Sequence, residues 1–357
     1  MDAVPGVCGL KVPKRLGQKA IQITTKLTLI EKNLKIQAVG DALSIPLLRA
    51  PSKDEETKLK DVLDDYTVVT SSFAPKVRPV KSLDEALGRV LPPNLVPFLP
   101  RSMDIVGTVA ILELSPHLDP WKRLVGQAVL RVNRNVTTVL AKAGMVEGEH
   151  RLRRVDVIAG TGKTAVVHRE HGCTYYVDPR VVYFSPRLSE ERQRIARQVQ
   201  AGETVVDMFT GVGPFAIQIG TQHDDVTVYA LDSNVKAYPF LTRNVRANGV
   251  QAVVRPLLGD VRALAERLDG VADRVIMDLP AKAAEFVDVA CRVLKPGGGM
   301  LHYYCFEAEP AALEKAVERL RQRVLESQRV LREVVDTRRV RQIGPRRWHV
   351  VVDACIH

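Results

Sequence analysis

No apolar run in the 357 residues approaches the roughly 18 that cross a bilayer, so no membrane span is expected. The opening residues, MDAVPGVCGLKVPKR, do not follow the order of a signal peptide. Cysteine is scarce and dispersed: Cys8, Cys173, Cys291, Cys305 and Cys355 form no C-x-x-C pair. That spacing suggests neither a zinc site nor a disulfide framework, and it fits a reducing compartment. There is no internal repeat and no low-complexity segment. Acid is the scarcer charge, with 41 Asp and Glu against 52 Lys and Arg, a net +11. Such an excess favours a polyanionic partner, most simply nucleic acid, although a solvated basic surface would show the same balance.

The rest of the composition, 46% hydrophobic and 26% charged, belongs to a protein that can bury a core. The length allows two or three domains. Residues 1–70 read as a small separate unit, with a helix over 19–30, strands over 34–48 broken at Gly40-Asp41, and a charged helical stretch over 52–65. A linker over 71–81 follows, rich in proline, small polar and basic residues. Residues 82–180 form a second unit. Ser82 caps a helix, 102–114 is a long strand, 119–132 an amphipathic helix, and 136–141 an apolar, β-branched strand.

A basic meander of short strands comes next, over 151–158, 164–169 and 174–177. It carries His150, Arg151, Arg153, Arg154, Lys163, His168 and Arg169, either as a solvated sheet face or as a surface for phosphates. Within it, GTGKT (160–164) ends like a P-loop. Val157 stands where the first glycine belongs, and the segment joins two strands, so it reads as a hairpin turn.

From 181 onward strand and helix alternate. The strand candidates are 204–208, 226–231, 253–258, 274–277, 300–304 and 348–354, the first five separated by helical stretches. This pattern predicts a doubly wound α/β sheet. Residues 311–335 read as a long Arg-rich helix followed by a strand, which with 348–354 makes an edge hairpin.

The stretch 204–213, TVVDMFTGVG, organises this half. An apolar strand ends in a Gly-x-Gly turn at Gly211 and Gly213, and a helix follows. That is how an α/β sheet builds a nucleotide-type pocket. Asp232 comes roughly 20 residues later, where such a sheet places a carboxylate for a ribose. Gly211, Gly213 and Ala216 also satisfy a loose dinucleotide pattern, which keeps a nicotinamide reading open. Asp207 tips the balance: an acid beside the pocket suits the amino group and sulfonium of S-adenosylmethionine and repels a pyrophosphate. Gly259-Asp260, after the third strand, could bind an adenine amino group, with a helix N-cap as the alternative. Asp278-Leu279-Pro280 ends the fourth strand and could present acceptors to a planar base. On the helix over 188–200, Glu191 falls on the apolar stripe of Leu188, Ile195 and Val199. A carboxylate there is either paired, with Arg187 or Arg194 in reach, or held at a raised pKa for proton transfer; periodicity alone favours the pair.

At FSPRLSEER, DMFTGVGPF, YALDSN, DRVIMDLP and WHVVVDA the chain resembles the archaeal and eukaryotic tRNA (guanine-37-N1)-methyltransferases. The resemblance runs more weakly through GEHRLRR and HREHG, and GLKVPKRLGQKAI with GDALSIPLL resembles that family's small N-terminal domain. It implies an α/β fold: a C-terminal class I Rossmann-like methyltransferase domain over 181–357, with an antiparallel edge hairpin, plus two smaller N-terminal α+β domains. The N-terminal domain and the domain over 82–180 would bind tRNA. It implies S-adenosylmethionine as cofactor, tRNA as partner, no metal, and a cytoplasmic monomer.

By position, the resemblance makes Glu191 of the R-L-x-x-E-R motif the general base, and so favours the catalytic role over the pair. It makes Arg151 of G-E-x-R the catalytic arginine and Tyr183 the aromatic lining the guanine pocket. Asp207, Phe209, Gly211, Gly213, Asp232, Asp260 and Asp278 would hold the cofactor. Arg187, Asp278 and Pro280 would join Tyr183 at the substrate. The family's motif at the fourth strand usually begins with Asn; here it is Asp278. An acid accepts but cannot donate, which points toward an archaeal subtype acting on carbon 7 of a tricyclic wyosine precursor. Glu191 and Arg151 come from two domains, so the site is expected at their interface.

Overall fold

The computed structural model describes residues 3–76, 80–147 and 152–357. It divides into two compact units, Met1–Val80 and Lys81–His357.

In the first unit, β1 (Val4–Pro13), β2 (Gln37–Val39), β3 (Ala42–Pro46) and β4 (Thr67–Phe73) form a sheet in the order β2-β3-β1-β4, all antiparallel. Strand alternation turns Leu10 and Val12 of β1 inward, where they meet Ile45, Leu29, Leu59 and Leu63. Helices α1 (Gly17–Lys26) and α2 (Lys53–Lys60) accompany the sheet. Ser52 and Glu55 cap α2 reciprocally, satisfying two of its free amides. Strand β4 takes in Ser71, Ser72 and Phe73, whose neighbourhood reads as linker in sequence.

In the second unit, Ser82 caps α3 (Leu83–Leu87) as expected, accepting from the Glu85 amide. The single long strand expected over 102–114 is instead two, β5 (Asp104–Val106) and β6 (Val109–Leu112). They fold back at Gly107, whose φ of +56° a glycine adopts without strain. Helix α4 (Lys122–Val132) carries the chain from β6 to its parallel neighbour β7 (Thr138–Glu147), and β8 (Leu152–Gly160) completes the order β5-β6-β7-β8. GTGKT does not close a hairpin: β8 pairs with β7, whereas β9 (Val166–Glu170) pairs with β10 (Cys173–Val177). The segment links two sheets.

The large sheet has seven strands in the order β13-β12-β11-β14-β15-β17-β16. Strands β11 (Thr204–Asp207), β12 (Thr227–Asp232), β13 (Val254–Leu258), β14 (Arg274–Met277) and β15 (Gly299–Ala308) are parallel. β17 (Arg347–Ile356) and β16 (Leu331–Gly344) close the edge antiparallel. Helix α5 (Ser189–Gln198) precedes β11; α6 (Pro214–Gly220), α7 (Tyr238–Ala247), α8 (Val261–Ala265) and α9 (Val287–Val293) follow successive strands, and α10 (Ala312–Glu326) follows β15. The last helix is shorter than its sequence pattern predicts. Gln328, at φ 58°, ends it, and the β-branched pair Val334-Val335 belongs to β16.

Apolar clusters cover both sheet faces. One holds Ile195, Val205, Ile217 and Leu241, and also Val106 of β5 and Tyr175 of β10. The other holds Val206, Val275, Leu301 and Leu320. The β9–β10 hairpin is anchored to α7 by two side-chain amides one turn apart. Asn248 accepts from the Thr174 amide (2.8 Å) and donates to its carbonyl (2.7 Å); Asn244 does the same for Tyr176 (2.7 and 3.1 Å). Each amide substitutes for a neighbouring strand along β10. Asn244 also donates to the Val212 carbonyl (3.0 Å), so the hairpin and the glycine turn share one support.

Candidate active site

Strand order reverses between β11 and β14, and a cavity opens there at the carboxyl ends of the strands. Met208, Phe209, Thr210 and Gly211 reach it from β11, Asp232 and Asn234 from β12, Gly259 and Asp260 from β13, and Asp278, Leu279 and Lys282 from β14. Tyr183, Ser185, Leu188 and Arg192 line it from the approach to α5.

The glycine turn is closed on itself. The Gly211 amide donates to Asp232 Oδ2 (2.7 Å), and the Gly213 amide to the Thr210 carbonyl (2.9 Å). Pro214 opens α6 with no N–H to give. A pyrophosphate needs such amides free, and here they are committed. Three carboxylates line the cavity, Asp232, Asp260 and Asp278; of the two cations there, Arg192 is paired with Glu170, which leaves Lys282. Together these features disfavour the nicotinamide dinucleotide reading and fit a cationic nucleoside.

Gly211 and Gly213 have φ of +58° and +88°, and a Cβ on Gly213 would sit 2.6 Å from Leu241. Only Gly211 reaches the cavity; Gly213 shapes the turn behind it. Asp207 is wholly buried beside the lining residues and does not itself line the cavity. Neither carboxylate oxygen meets a well-aligned donor. Burial pushes its pKa up to about 7; the charges of Asp278 and Asp232 add to this, while the Thr210 hydroxyl and Phe209 amide oppose it. Phe209 meets Phe286 edge to face at 5.2 Å, an apolar wall suited to a flat ring. Asp260 is both lining residue and N-cap, accepting the Arg262 amide at 2.8 Å. Asp278 stands 3.5 Å from His349 Nε2, a buried imidazole on β17. Pro280 is buried, away from the cavity lining, and its carbonyl accepts from the Phe306 amide (3.2 Å).

Glu191 is buried on α5 and does not line the cavity. Its partner is Arg194, which chelates it and also reaches Asp353. Tyr304 donates to Glu191 Oε1 at 2.8 Å, and Arg338 lies 3.8 Å from Oε2. Behind Asp353 the network continues through His302 (2.6 Å), Arg274 (2.8 Å) and Glu203 (2.8 Å). Arg187, the other partner considered, pairs instead with Asp104 of β5. Tyr183 is 43% exposed at the rim, its hydroxyl bonded by Arg341 (3.2 Å). Arg151 lies outside the described residues.

Sequence reasoning missed Arg192, Tyr304, Asp353, His302 and Arg341. Arg192 stands in the R-L-x-x-E-R motif and Tyr304 in the LHYY strand, where alternation places it on the face that α5 covers. The Asp353 contact joins residues 159 apart, beyond any local signal.

Comparison with known proteins accords with this geometry. Residues 166–331 match the TRM5/TYW2 methyltransferase domain, 83–164 the TYW2 N-terminal domain, and 9–55 the tRNA methyltransferase 5 N-terminal domain. The tRNA (guanine(37)-N(1))-methyltransferase Trm5b of Pyrococcus abyssi is 35% identical over 344 residues, 96% of this chain and 97% of its own. A tRNA(Phe) (4-demethylwyosine(37)-C(7)) aminocarboxypropyltransferase of Methanocaldococcus jannaschii is 34% identical over 70% of this chain and 95% of its own. Among solved structures, a complex of aTrm5 and tRNALeu superposes with a TM-score of 0.75 at 28% identity, covering 98% of this chain and all of that one. M. jannaschii TYW2 in complex with AdoMet gives 0.56 at 29% identity, over 72% and 99%. The chain belongs to the TRM5/TYW2 methyltransferase family.

Proposed function

We propose that this protein transfers a methyl group from S-adenosylmethionine to N1 of guanine 37 of tRNA. The observation that carries the reading is the match to Trm5b over 96% of the chain, which brings the family's motifs onto a carboxylate-lined cavity. The residues present fit the cofactor. Asp232 can accept from ribose hydroxyls with lone pairs its two amide partners leave over, Asp260 from an adenine amino group, and Phe209 with Phe286 can hold the ring. Buried Asp207, without an aligned donor, supplies negative charge beside a cationic ligand. Bound S-adenosylmethionine supplies a methyl already activated on a sulfonium.

The protein's own groups do the proton chemistry. Guanine N1 carries a proton at neutral pH, and Glu191 is assigned to take it. Arg194 and Tyr304 fix the Glu191 carboxylate, with Oε1 the more heavily bonded oxygen and Oε2 the freer one to accept the proton. Charge left on O6 falls to Arg151 by the resemblance, as a guanidinium suited to a dry site. Tyr183 offers a platform for a base extruded from the anticodon loop. No metal is required, because the leaving thioether is neutral. A cytoplasmic monomer completes the proposal.

One observation favours a second reading within the family. By the resemblance Asp278 stands where the family usually has Asn, and it lies 3.5 Å from the buried imidazole of His349. An acceptor there suits carbon 7 of the tricyclic wyosine precursor as the methyl acceptor. The deciding experiment uses S-adenosylmethionine labelled in the methyl or in the carboxyl carbon, with unmodified and precursor-bearing tRNA. Methyl label on unmodified tRNA supports the first reading and methyl label only on precursor tRNA the second. Carboxyl label on either tRNA means aminocarboxypropyl transfer and sinks both.

A further inference from the structure

We propose that Arg341, with Arg346 and Arg347, forms a docking track for the tRNA backbone beside the extruded nucleotide. The proposal rests on the tRNA reading above. Guanidinium groups near the site are matched by carboxylates: Arg187 by Asp104, Arg192 by Glu170, Arg194 by Glu191 and Asp353, Arg338 by Asp336, Arg339 by Glu309. Arg341 is different. Its Nη1 donates to Ser185 Oγ at 3.3 Å and Nη2 to the Tyr183 hydroxyl at 3.2 Å. Its Nε is buried with no partner, and no carboxylate lies within ion-pair distance among the described residues. A permanently charged fork held by two neutral hydroxyls, with a donor left over, is short of an anion.

Its position says which anion. Tyr183 and Ser185 line the cavity, and Arg338, which a register shift between Arg339 and Arg341 puts on the same face of β16 as Arg341, reaches Glu191. Arg341 therefore stands at the mouth through which a base would meet both the cavity and Glu191. Ala308, the last residue of β15, pairs with Arg347. The β16–β17 turn, with exposed Arg346 and Arg347, thus stands at the same carboxyl end of the sheet as the cavity. Neither side chain has a carboxylate partner among the described residues. A nucleotide extruded into the site brings flanking phosphodiesters to its rim. A line of unmatched arginines complements them in charge, and guanidinium grips phosphate bidentately.

The test measures tRNA affinity of the full-length protein against salt concentration, with S-adenosylmethionine affinity and kcat at saturating tRNA alongside. Arg341→Gln is expected to weaken tRNA binding about tenfold and to lower the slope of log affinity on log salt by about 0.7–0.9, one phosphate contact. Cofactor affinity stays within about threefold, which also shows that the variant is folded. Arg341→Lys restores the slope, since it keeps the charge. The double variant Arg346→Gln/Arg347→Gln, in an exposed turn, lowers the slope again. An unchanged slope in Arg341→Gln overturns the proposal. So does a loss confined to kcat with tRNA affinity intact, which would put the guanidinium on the reacting base. If wild-type protein transfers nothing to tRNA yet shows the Arg341-dependent slope, the functional reading fails and the phosphate track stands.

Discussion

Asp207 has a consequence that a melting curve can read. Between the ordinary carboxylate pKa near 4 and its raised value of about 7, folded Asp207 keeps a proton that the unfolded chain has released. The unfolded state binds fewer protons there, so raising the pH through this window costs stability. Asp207→Asn removes the cost. The ligand-free variant should melt above wild type at pH 8, with the gap closing toward pH 5. Addition of S-adenosylmethionine should raise the Tm of wild type more than that of the variant at pH 8. Equal pH dependence in the two proteins would show that Asp207 does not carry the buried charge. Glu191 answers to a different measurement. Glu191→Gln preserves volume and one acceptor, and should lower kcat by about 10²–10⁴ with cofactor affinity unchanged. A loss smaller than tenfold would remove it as the base. The Arg194 partner of Glu191 was legible from i,i+3 spacing on one helix; Arg187, four residues before Glu191, was also within reach in sequence but finds Asp104, 83 residues away.

Among elements, α5 and the β15–β17 pair depend on each other. Arg194 of α5 spans Glu191 and Asp353, and His302 of β15 backs Asp353. Although burial opposes it, bonding from His302 and Arg194 holds the Asp353 carboxyl well below the usual range. A depressed carboxylate pKa gives stability that is present above about pH 4 and is lost as pH falls further. Asp353→Asn breaks a buried pair, and should cost on the order of 3–5 kcal/mol at pH 7 in urea unfolding. The wild-type advantage should shrink by pH 3. A cost under about 1 kcal/mol at pH 7 would mean that Arg194 is satisfied by Glu191 alone. Most of these elements were legible, because buried parallel strands read as short apolar runs between helices. The failures share a cause. Residues 102–114 and 311–335 continue apolar or basic character across a reversal that one left-handed residue makes, Gly107 or Gln328. A lone glycine inside an apolar run is the one mark of the first reversal, and Gln328 carries none of the second.

At the scale of the whole molecule, Met1–Val80 and Lys81–His357 each hold their own core. A fragment beginning at Lys81 should fold, bind S-adenosylmethionine as the full chain does, and lose affinity for tRNA. Calorimetry and cofactor titration check the first two, filter binding the third. A fragment that cannot bind the cofactor would contradict the independence of the second unit. The cavity's existence and four of its walls were legible from the glycine turn, Asp232, Asp260 and Asp278. The placement of Pro280 and Gly213 off its surface was not, since a motif gives order along the chain and not the direction a backbone turns.

Methyl transfer to N1 of guanine 37 is the activity on which the assigned roles converge. Its most direct measurement is nucleoside analysis of unmodified tRNA after incubation with the protein and S-adenosylmethionine, beside the same tRNA carrying adenine at position 37. The expected product is 1-methylguanosine, placed at position 37, in the first tRNA, with no methylated product in the second. Methylation at any other position, or none in either tRNA, would contradict it.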